Sequence, residues 1–173
     1  MTLSTSTPAA PRESVEKLEG LIRALRIAMM TTVAEDGSLH TRPMAVQRNA
    51  TLDQLWFFTS ADSAKTDEIG ATHEVSLGFS DPGQQRYVAI SGTARIVRDE
   101  TKAWELWNPW VEVWFPKGPA DPAVRLVQII PHRAEYWDGS SNRMAVLYQS
   151  AKAALGGPPT IPQAAPVKVD LTR

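Results

Sequence analysis

Residues 55–65 read L-W-F-F-T-S-A-D-S-A-K, a run of apolar residues followed by small hydroxyl residues. The first four are aromatic or apolar and predict a buried strand. The hydroxyl residues end that strand, and Asp62 or Ser63 is suited to cap a short helix over residues 66–71. A strand that leads into a helix N-terminus places free backbone N–H groups and a partial positive charge at one point.

This joint between strand and helix has the chemistry of a phosphate site. The hydroxyls of Thr59, Ser60 and Ser63 can donate hydrogen bonds, and the ammonium group of Lys65 supplies a positive charge. The alternative is an ordinary joint in which the hydroxyls only cap the helix, since such joints are common. These residues alone leave both interpretations open.

The composition is typical of a soluble, one-domain protein: 173 residues, 43% of them hydrophobic and 21% charged. A formal net charge of -1 argues against recruitment of nucleic acid or of an anionic membrane. The absence of cysteine excludes disulfides, zinc–thiolate sites, iron–sulfur clusters and cysteine nucleophiles. Since neither a signal peptide nor a membrane-spanning stretch is visible, we expect a cytoplasmic protein.

The rest of the chain predicts an antiparallel β protein with a few helices. We expect a flexible arm over residues 1–12, a domain over residues 13–155, and an extended tail over residues 156–173 that lies outside the core. Further strands are predicted over residues 29–34, 39–47, 75–80, 87–97 and 124–137. Helices are predicted over residues 15–27, 100–107, 110–115 and 141–155.

Several positions favour a small closed barrel over a flat sheet. Asp36-Gly37 predicts a tight hairpin turn with positive φ at both residues. Pro43 cannot donate a ladder hydrogen bond, so we expect it at an edge or facing a ligand. Gly92 and Pro131 predict bulges within long strands. The fold class that follows is mainly β, a β-barrel with peripheral helices.

Two arginines are candidates for contact with a flat, charged ligand. Arg42 is expected on a strand that pairs with the strand over residues 55–60, where a guanidinium suits a phosphate or a ring carbonyl. Arg143 follows Trp137 and a glycine turn, so the two side chains could form a lid on the ligand. The alternatives are a solvated Arg42 and a Trp137 that packs in the core.

Four tryptophans lie close together in the sequence. We expect Trp104 and Trp107 in the core or at a dimer interface, whereas Trp110 or Trp114 could cover a planar ligand. The three histidines lack the spacing of metal ligands, so we expect no metal site. No G-x-S-x-G, P-loop or G-x-G-x-x-G motif is present, so serine hydrolase, P-loop and Rossmann chemistries lack their marker.

Three motifs, in order and in register, resemble the pyridoxamine 5′-phosphate oxidase-like flavoproteins over roughly residues 15–155. The motifs are T-R-P-M-A-V at 41–46, F-T-S-A-D-S-A-K at 58–65 and E-Y-W-D-G-S-S-N-R at 135–143. Two shorter motifs, F-P-K-G-P-A-D-P at 115–122 and V-D-L at 169–171, are more similar to the general stress protein 26 branch. The resemblance implies an FMN-binding split barrel with an antiparallel, Greek-key-like order. It also implies a homodimer with the flavin at the subunit interface.

The resemblance assigns most of the candidate cofactor-binding residues. These are Arg42, Pro43, Met44, Phe58, Thr59, Ser60, Ser63, Lys65, Tyr87 and Trp137, to which the residue patterns add Trp114 and Arg143. Residues 42–44 would line the isoalloxazine and the ribityl chain, and residues 58–60 would border the flavin. Ser63 and Lys65 would hold the phosphate, and Tyr87 would make a polar contact to the ring. The resemblance places the tryptophan of the third motif at the flavin of the other subunit.

Two departures from the oxidase motifs argue against vitamin B6 oxidation. Ala64 stands where the oxidases have an arginine beside the phosphate lysine, which leaves FAD open as an alternative to FMN. After Trp137 the oxidases continue R-L-H-D-R, which holds the pyridoxal substrate, whereas residues 143–147 read R-M-A-V-L. The histidine and second arginine are absent, and each lost charged hydrogen bond typically costs about 1.5–3 kcal/mol.

We therefore expect an FMN flavoprotein that exchanges hydride or electrons with an unknown small substrate. No residue stands out as a general acid or base, so we assign no catalytic residue. The alternative is a non-catalytic flavin-binding stress protein that stores or senses flavin. A β-barrel that binds nucleic acid through aromatic residues is a third interpretation, which the lack of a basic cluster disfavours.

Overall fold

The computed structural model describes residues 11–47, 50–139 and 166–172. The elements in chain order are α1 (Arg12–Leu25), β1 (Ile27–Val33), β2 (Leu39–Ala45), β3 (Leu55–Ser60), α2 (Ala64–Thr72), β4 (Glu74–Asp81), β5 (Arg86–Val97), α3 (Glu100–Leu106), α4 (Pro109–Trp114), β6 (Val124–Asp138) and β7 (Val167–Asp170). The predicted helix over residues 141–155, together with Arg143, lies outside the described residues. None of the helices within the described ranges is long and apolar enough to cross a membrane.

The strands form one antiparallel sheet in the order β2-β1-β4-β5-β6-β3, with β7 paired to β6. The 15-residue strand β6 organises it, because β5 pairs along one edge while β3 and then β7 pair along the other. The two end strands, β2 and β3, approach each other but are not paired in the described part of the chain. The fold is therefore an antiparallel split barrel with peripheral helices and a Greek-key-like strand order, as expected.

The predicted pairing between the strand of Arg42 and the strand that begins at Leu55 is wrong. The strand β2 pairs with β1, where Arg42 lies opposite Met30, and β3 pairs with β6, where Leu55 lies opposite Ile129. Strands that follow each other in sequence are often neighbours, but here the chain crosses from one end of the sheet to the other. Pro43 lies on the end strand β2, which confirms its predicted edge position.

The hairpin between β1 and β2 forms where it was predicted, but its turn is of another type. Only Gly37 of the predicted pair has positive φ, at 81°, so the prediction of positive φ at Asp36 is wrong. The Ala34 N–H donates to the Ser38 carbonyl at 2.9 Å, and the Gly37 N–H donates to the Ala34 carbonyl at 2.9 Å. This is the pattern of a three-residue loop that ends in a left-handed glycine.

The predicted bulge in the two long strands is confirmed. The residue before Gly92 lies opposite Arg133, whereas Gly92 lies opposite Pro131, so His132 is the extra residue on β6. A Cβ atom at Gly92 would collide with the backbone carbonyl of Ile130. Only glycine allows the two strands to approach this closely, and the bulge bends the sheet as a barrel requires.

Alternate residues of the strands point into one core, which α1 and α2 cover. Its largest fully buried side chains include Leu18, Ile22, Met30, Leu55, Phe57, Ile69, Leu77, Ile90 and Ile129. One ion pair joins α1 to the end of the sheet, since Lys17 Nζ lies 2.5 Å from the buried carboxylate of Asp138. Arg86 of β5 pairs with the same carboxylate from within the sheet, at 3.5 Å from its Nε.

The end of the chain contributes to this core. The strand β7 pairs with residues 133–136 of β6, and Val169 is 2% exposed among the core residues. The expectation that the tail lies outside the core is therefore wrong for Val169, although Val167 and Lys168 beside it are exposed. The sequence V-K-V-D is too short and too polar to reveal a strand by itself, and pairing with β6 supplies what the local pattern lacks.

Candidate functional site

The end of β3 and the start of α2 bring three predicted phosphate-site residues together. Lys65 Nζ donates hydrogen bonds to Thr59 Oγ1 at 3.0 Å and to Ser63 Oγ at 2.6 Å. Ser63 occupies the N-cap position of α2, but its hydroxyl accepts from Lys65 and not from a backbone N–H of the helix. The arrangement therefore differs from the simple helix cap that was the alternative. We call Thr59, Ser63 and Lys65 the Lys65 cluster.

Ser60 shapes the turn that holds this cluster. Its carbonyl accepts from Thr66 Oγ1 at 3.1 Å and from the Ser63 N–H at 3.2 Å. Its hydroxyl donates to the Asp62 carboxylate, which lowers the pKa of that carboxyl. Ser60 therefore takes part in the turn through both its backbone and its side chain, and its hydroxyl is directed at Asp62.

A second group of side chains joins α2 to the opposite end of the sheet. Glu68 is only 8% exposed, and its Oε2 accepts from Thr32 Oγ1 at 2.5 Å and from Arg42 Nη1 at 2.8 Å. Its Oε1 lies 2.7 Å from His40 Nδ1 and 3.3 Å from Arg42 Nη2. Because an ionised carboxylate only accepts, His40 Nδ1 carries the proton of that bond. We call Thr32, His40, Arg42 and Glu68 the Glu68 clamp.

The charges of the two groups influence one another. The hydrogen bond from Arg42 is the main cause that lowers the pKa of Glu68 to about 2, and the bonds from Thr32 and His40 add to it against the effect of burial. Burial lowers the pKa of Lys65, the cation of Arg42 lowers it further, and Glu68 raises it. Two cations and one carboxylate therefore leave a net positive charge beside the opening between β2 and β3, which suits an anion.

Two candidate side chains point away from this site. Met44 is 8% exposed and belongs to the hydrophobic core. The ring of Phe58 lies on the other face of β3 from Thr59, and packs edge-on against Trp107 at 5.5 Å and against Phe115 at 6.2 Å between ring centroids. Alternation along β3 explains the placement of Phe58, because neighbouring residues of a strand face opposite sides of the sheet. Met44 shares the inner face of β2 with Arg42 but lies two residues further along the strand, within the core.

Three other candidates share the outer face of the sheet. Tyr87 of β5 lies directly opposite Trp137 of β6, and Tyr87 is 39% exposed. Pro43 is exposed on the same face, opposite Met29 of β1. The structure therefore divides the predicted site into an inner group at the opening of the barrel and an outer group on the sheet surface.

The four tryptophans differ in how far they are buried. Trp107 is half-buried against Phe58, as expected for core packing. Trp104 is 59% exposed, so its expected burial in the core is wrong for this chain, and its place in an interface stays a prediction. Trp110 and Trp114 are exposed on α4, and Trp114 is 80% accessible. The contact of either side chain with a planar ligand stays a prediction.

The clamp residues Thr32, His40 and Glu68 were not predicted as part of a site. Two signals were present in the sequence. His40 lies two residues before Arg42, on the same face of its strand. Glu68 lies three residues after Lys65, on the same side of its helix. What the sequence could not show is that the helix and the strand lie side by side.

Comparison with known proteins agrees with this architecture. Residues 13–159 match the family model described as "Pyridoxamine 5′-phosphate oxidase like". The chain belongs to this family. The resemblance inferred from the three motifs is thus confirmed.

Members of the general stress protein group are among the similar structures. The general stress FMN/FAD binding protein of Xanthomonas citri is 32% identical, with a TM-score of 0.65 over 74% of this chain and 90% of that chain. General stress protein 26 of Bacillus anthracis is 25% identical, with a TM-score of 0.64 over 72% of this chain and 93% of that chain. Protein bli-3 of Neurospora crassa is 26% identical over 158 residues, 85% of this chain and 75% of that protein.

Proposed function

We propose that this protein binds a flavin through its phosphate at the Lys65 cluster, and exchanges hydride or electrons with a small molecule. The observation that carries the proposal is the ammonium group of Lys65, held by the hydroxyls of Thr59 and Ser63 at the N-terminus of α2. The 32% identical protein of Xanthomonas citri is described as FMN/FAD binding, which supports a flavin as the ligand.

The donor set of the cluster fits a phosphate group. An ammonium has three N–H donors, and Lys65 uses two of them on Thr59 and Ser63. Because both hydroxyls accept from Lys65, their own protons are available to phosphate oxygens. The Thr66 N–H donates to the Ser63 carbonyl at 2.7 Å, whereas the N–H groups of Ala64 and Lys65, at the first two positions of the nine-residue helix α2, can add further donors. FMN carries one such phosphate and is our first choice, with FAD as the alternative.

When bound, the flavin would supply the electron and hydride chemistry. The protein's own residues would hold the phosphate at Lys65 and keep Arg42 in place through Glu68. Glu68 is not suited to proton transfer at neutral pH, because its pKa is lowered to about 2 and both oxygens accept hydrogen bonds. The description of the Xanthomonas citri protein as a general stress FMN/FAD binding protein supports a second candidate function, flavin binding for storage or sensing without turnover.

Titration of the purified protein with FMN, FAD and riboflavin tests the binding proposal. Lys65→Ala should weaken FMN binding about 10- to 100-fold, because one charged hydrogen bond contributes about 1.5–3 kcal/mol. Riboflavin, which lacks the phosphate, should change less than about twofold on the same argument. Lys102→Ala is the matched control, since Lys102 pairs with Glu105 on α3. Equal losses for FMN and riboflavin would show that Lys65 does not contact the phosphate.

Addition of NAD(P)H to the flavin-loaded protein separates the two candidate functions. Bleaching of the flavin absorbance, followed by recovery with an acceptor, is expected of an oxidoreductase. A flavin that stays oxidised with either nicotinamide nucleotide would favour storage or sensing. Neither outcome affects the assignment of the phosphate site, which the titration tests separately.

We also propose that the protein is a homodimer that associates through the outer face of the sheet. Ile27 and Met29 of β1 are 49% and 44% exposed there, beside the exposed Pro43. Exposed apolar surface of this kind marks association sites. The same face carries Tyr87 and Trp137, which the family resemblance places at a flavin between subunits.

Light scattering tests the dimer. The wild-type protein should have twice the mass of one chain, and Met29→Asp should shift it towards the monomer because the charge would be buried in the interface. Thr101→Asp, at an exposed position on α3, is the control and should remain dimeric. A wild-type monomer that still binds FMN would rule out a site shared by two subunits.

A further inference from the structure

We propose that Glu68 is a positioning residue that ties α2 to β2 across the opening of the split barrel, and so sets the spacing of Arg42 and Lys65 for one phosphate group. The second half of this inference rests on the proposed flavin function. The first half concerns the protein alone and can be measured without a ligand.

The need for such a tie follows from the topology. In the described residues β2 pairs only with β1, and β3 pairs only with β6, so no backbone ladder joins the two sides of the opening. The Lys65 cluster belongs to the β3–α2 side, whereas Arg42 belongs to the β2 side. Without a direct link, the distance between Lys65 and Arg42 would depend on packing and on the longer route from the end of α2 through β4 and β1 to β2.

The Glu68 clamp supplies this link through side chains. The carboxylate belongs to α2, and its partners come from β1 (Thr32) and from β2 (His40 and Arg42), at 2.5 to 3.3 Å. Each oxygen accepts two of these bonds, which a carboxylate only 8% exposed requires if it is to remain charged. The clamp therefore replaces the missing backbone ladder with charged hydrogen bonds.

The clamp also fixes the direction of Arg42. Its Nη1 donates to Thr32 Oγ1 at 3.0 Å as well as to Glu68, so one side of the guanidinium is held at two points. The side chain is still 23% exposed, which leaves donors for a ligand. Arg42 and Lys65 repel each other as two cations, and Glu68 offsets this repulsion while it holds Arg42 in place.

Glu68→Gln tests the effect on the phosphate, because the amide keeps the size of the side chain and removes its charge. We expect the dissociation constant of FMN to rise at least about tenfold, which corresponds to the loss of one charged hydrogen bond to the phosphate. The dissociation constant of riboflavin, which has no phosphate, should change less than about twofold. Asp67→Asn removes the same charge from the neighbouring, exposed position of α2 and should leave both constants unchanged. Unchanged or tighter FMN binding in Glu68→Gln, or equal losses for both flavins, would overturn the proposal.

Hydrogen exchange on the flavin-free protein tests the tie itself. The amides of β2 should exchange faster in Glu68→Gln than in wild type, while those of β5 should not change. Thr32→Val, which removes one donor, should have the same effect in weaker form, and Thr32→Ser should restore protection because it keeps the hydroxyl. If the β2 amides exchanged at the same rate in wild type and in Glu68→Gln, the proposed tie between α2 and β2 would be wrong. If the wild-type protein does not bind FMN but Glu68→Gln still speeds exchange in β2, the proposed flavin function is wrong and the tie between α2 and β2 is supported.

Discussion

Acidification should remove the stability that the ionised Glu68 contributes to the fold. The hydrogen bonds that the carboxylate accepts lower its pKa from 4.5 to about 2, and the bond from Arg42 has the largest effect. At about 1.36 kcal/mol for each pKa unit, ionised Glu68 contributes about 3 kcal/mol to the free energy of unfolding at neutral pH. Since the pKa is lower in the folded state, the unfolded state binds the proton first as the pH falls. The contribution is complete above about pH 5 and is lost as the pH falls towards 2, with about 2 kcal/mol gone by pH 3.

Urea unfolding followed by tryptophan fluorescence measures this loss. Wild type and Glu68→Gln are compared between pH 7 and pH 3, and the quantity of interest is the difference between their free energies of unfolding. Other carboxyls with lowered pKa, such as Asp36, Asp62 and Asp170, are present in both proteins, so their effects cancel. The difference should shrink as the pH falls. A difference that stays constant over the whole range would refute the assignment of a strongly lowered pKa to Glu68.

Two substitutions test the architecture of the sheet. Gly92→Ala should lower the free energy of unfolding by about 1–3 kcal/mol, because the new Cβ meets the Ile130 carbonyl and forces a backbone shift. Urea unfolding measures it, and a loss below about 0.5 kcal/mol would mean that the two strands are further apart. Val169→Ala should cost about 1–3 kcal/mol because β7 places this side chain in the core. Lys168→Ala, at the exposed position beside it, is the control, and equal effects of the two would contradict the burial of Val169.

Most of the elements could be predicted because their signals are local. Alternating apolar residues mark β4, and turn residues bound the hairpin of β1 and β2, so neither depends on distant parts of the chain. The partner of β3 could not be predicted in this way. Its apolar run fits any buried strand, and the choice of β6 over β2 is made by the packing of the whole barrel. The strand β7 was missed for the same reason, since its pairing with β6 defines it more than its composition.

The candidate site shows the same division between local and distant signals. Ser63 and Lys65 could be predicted because one short stretch carries both, together with the helix N-terminus. The role of Glu68 could not be predicted, because its partners Thr32 and Arg42 lie 36 and 26 residues away in the sequence. The motif around Arg42 also looked like one contact surface, although alternation along β2 places Thr41 and Pro43 on the opposite face of the sheet from Arg42.

The pairing of β3 with β6 also has a consequence for the order of events during synthesis. Thr59 belongs to β3, whose backbone partner begins only at Val124, far later in the chain. Contacts between distant segments form late and slowly compared with local ones. A growing chain on the ribosome therefore carries all residues of the Lys65 cluster long before it can hold them in place, and we expect the cluster to form only after β6 has left the exit tunnel.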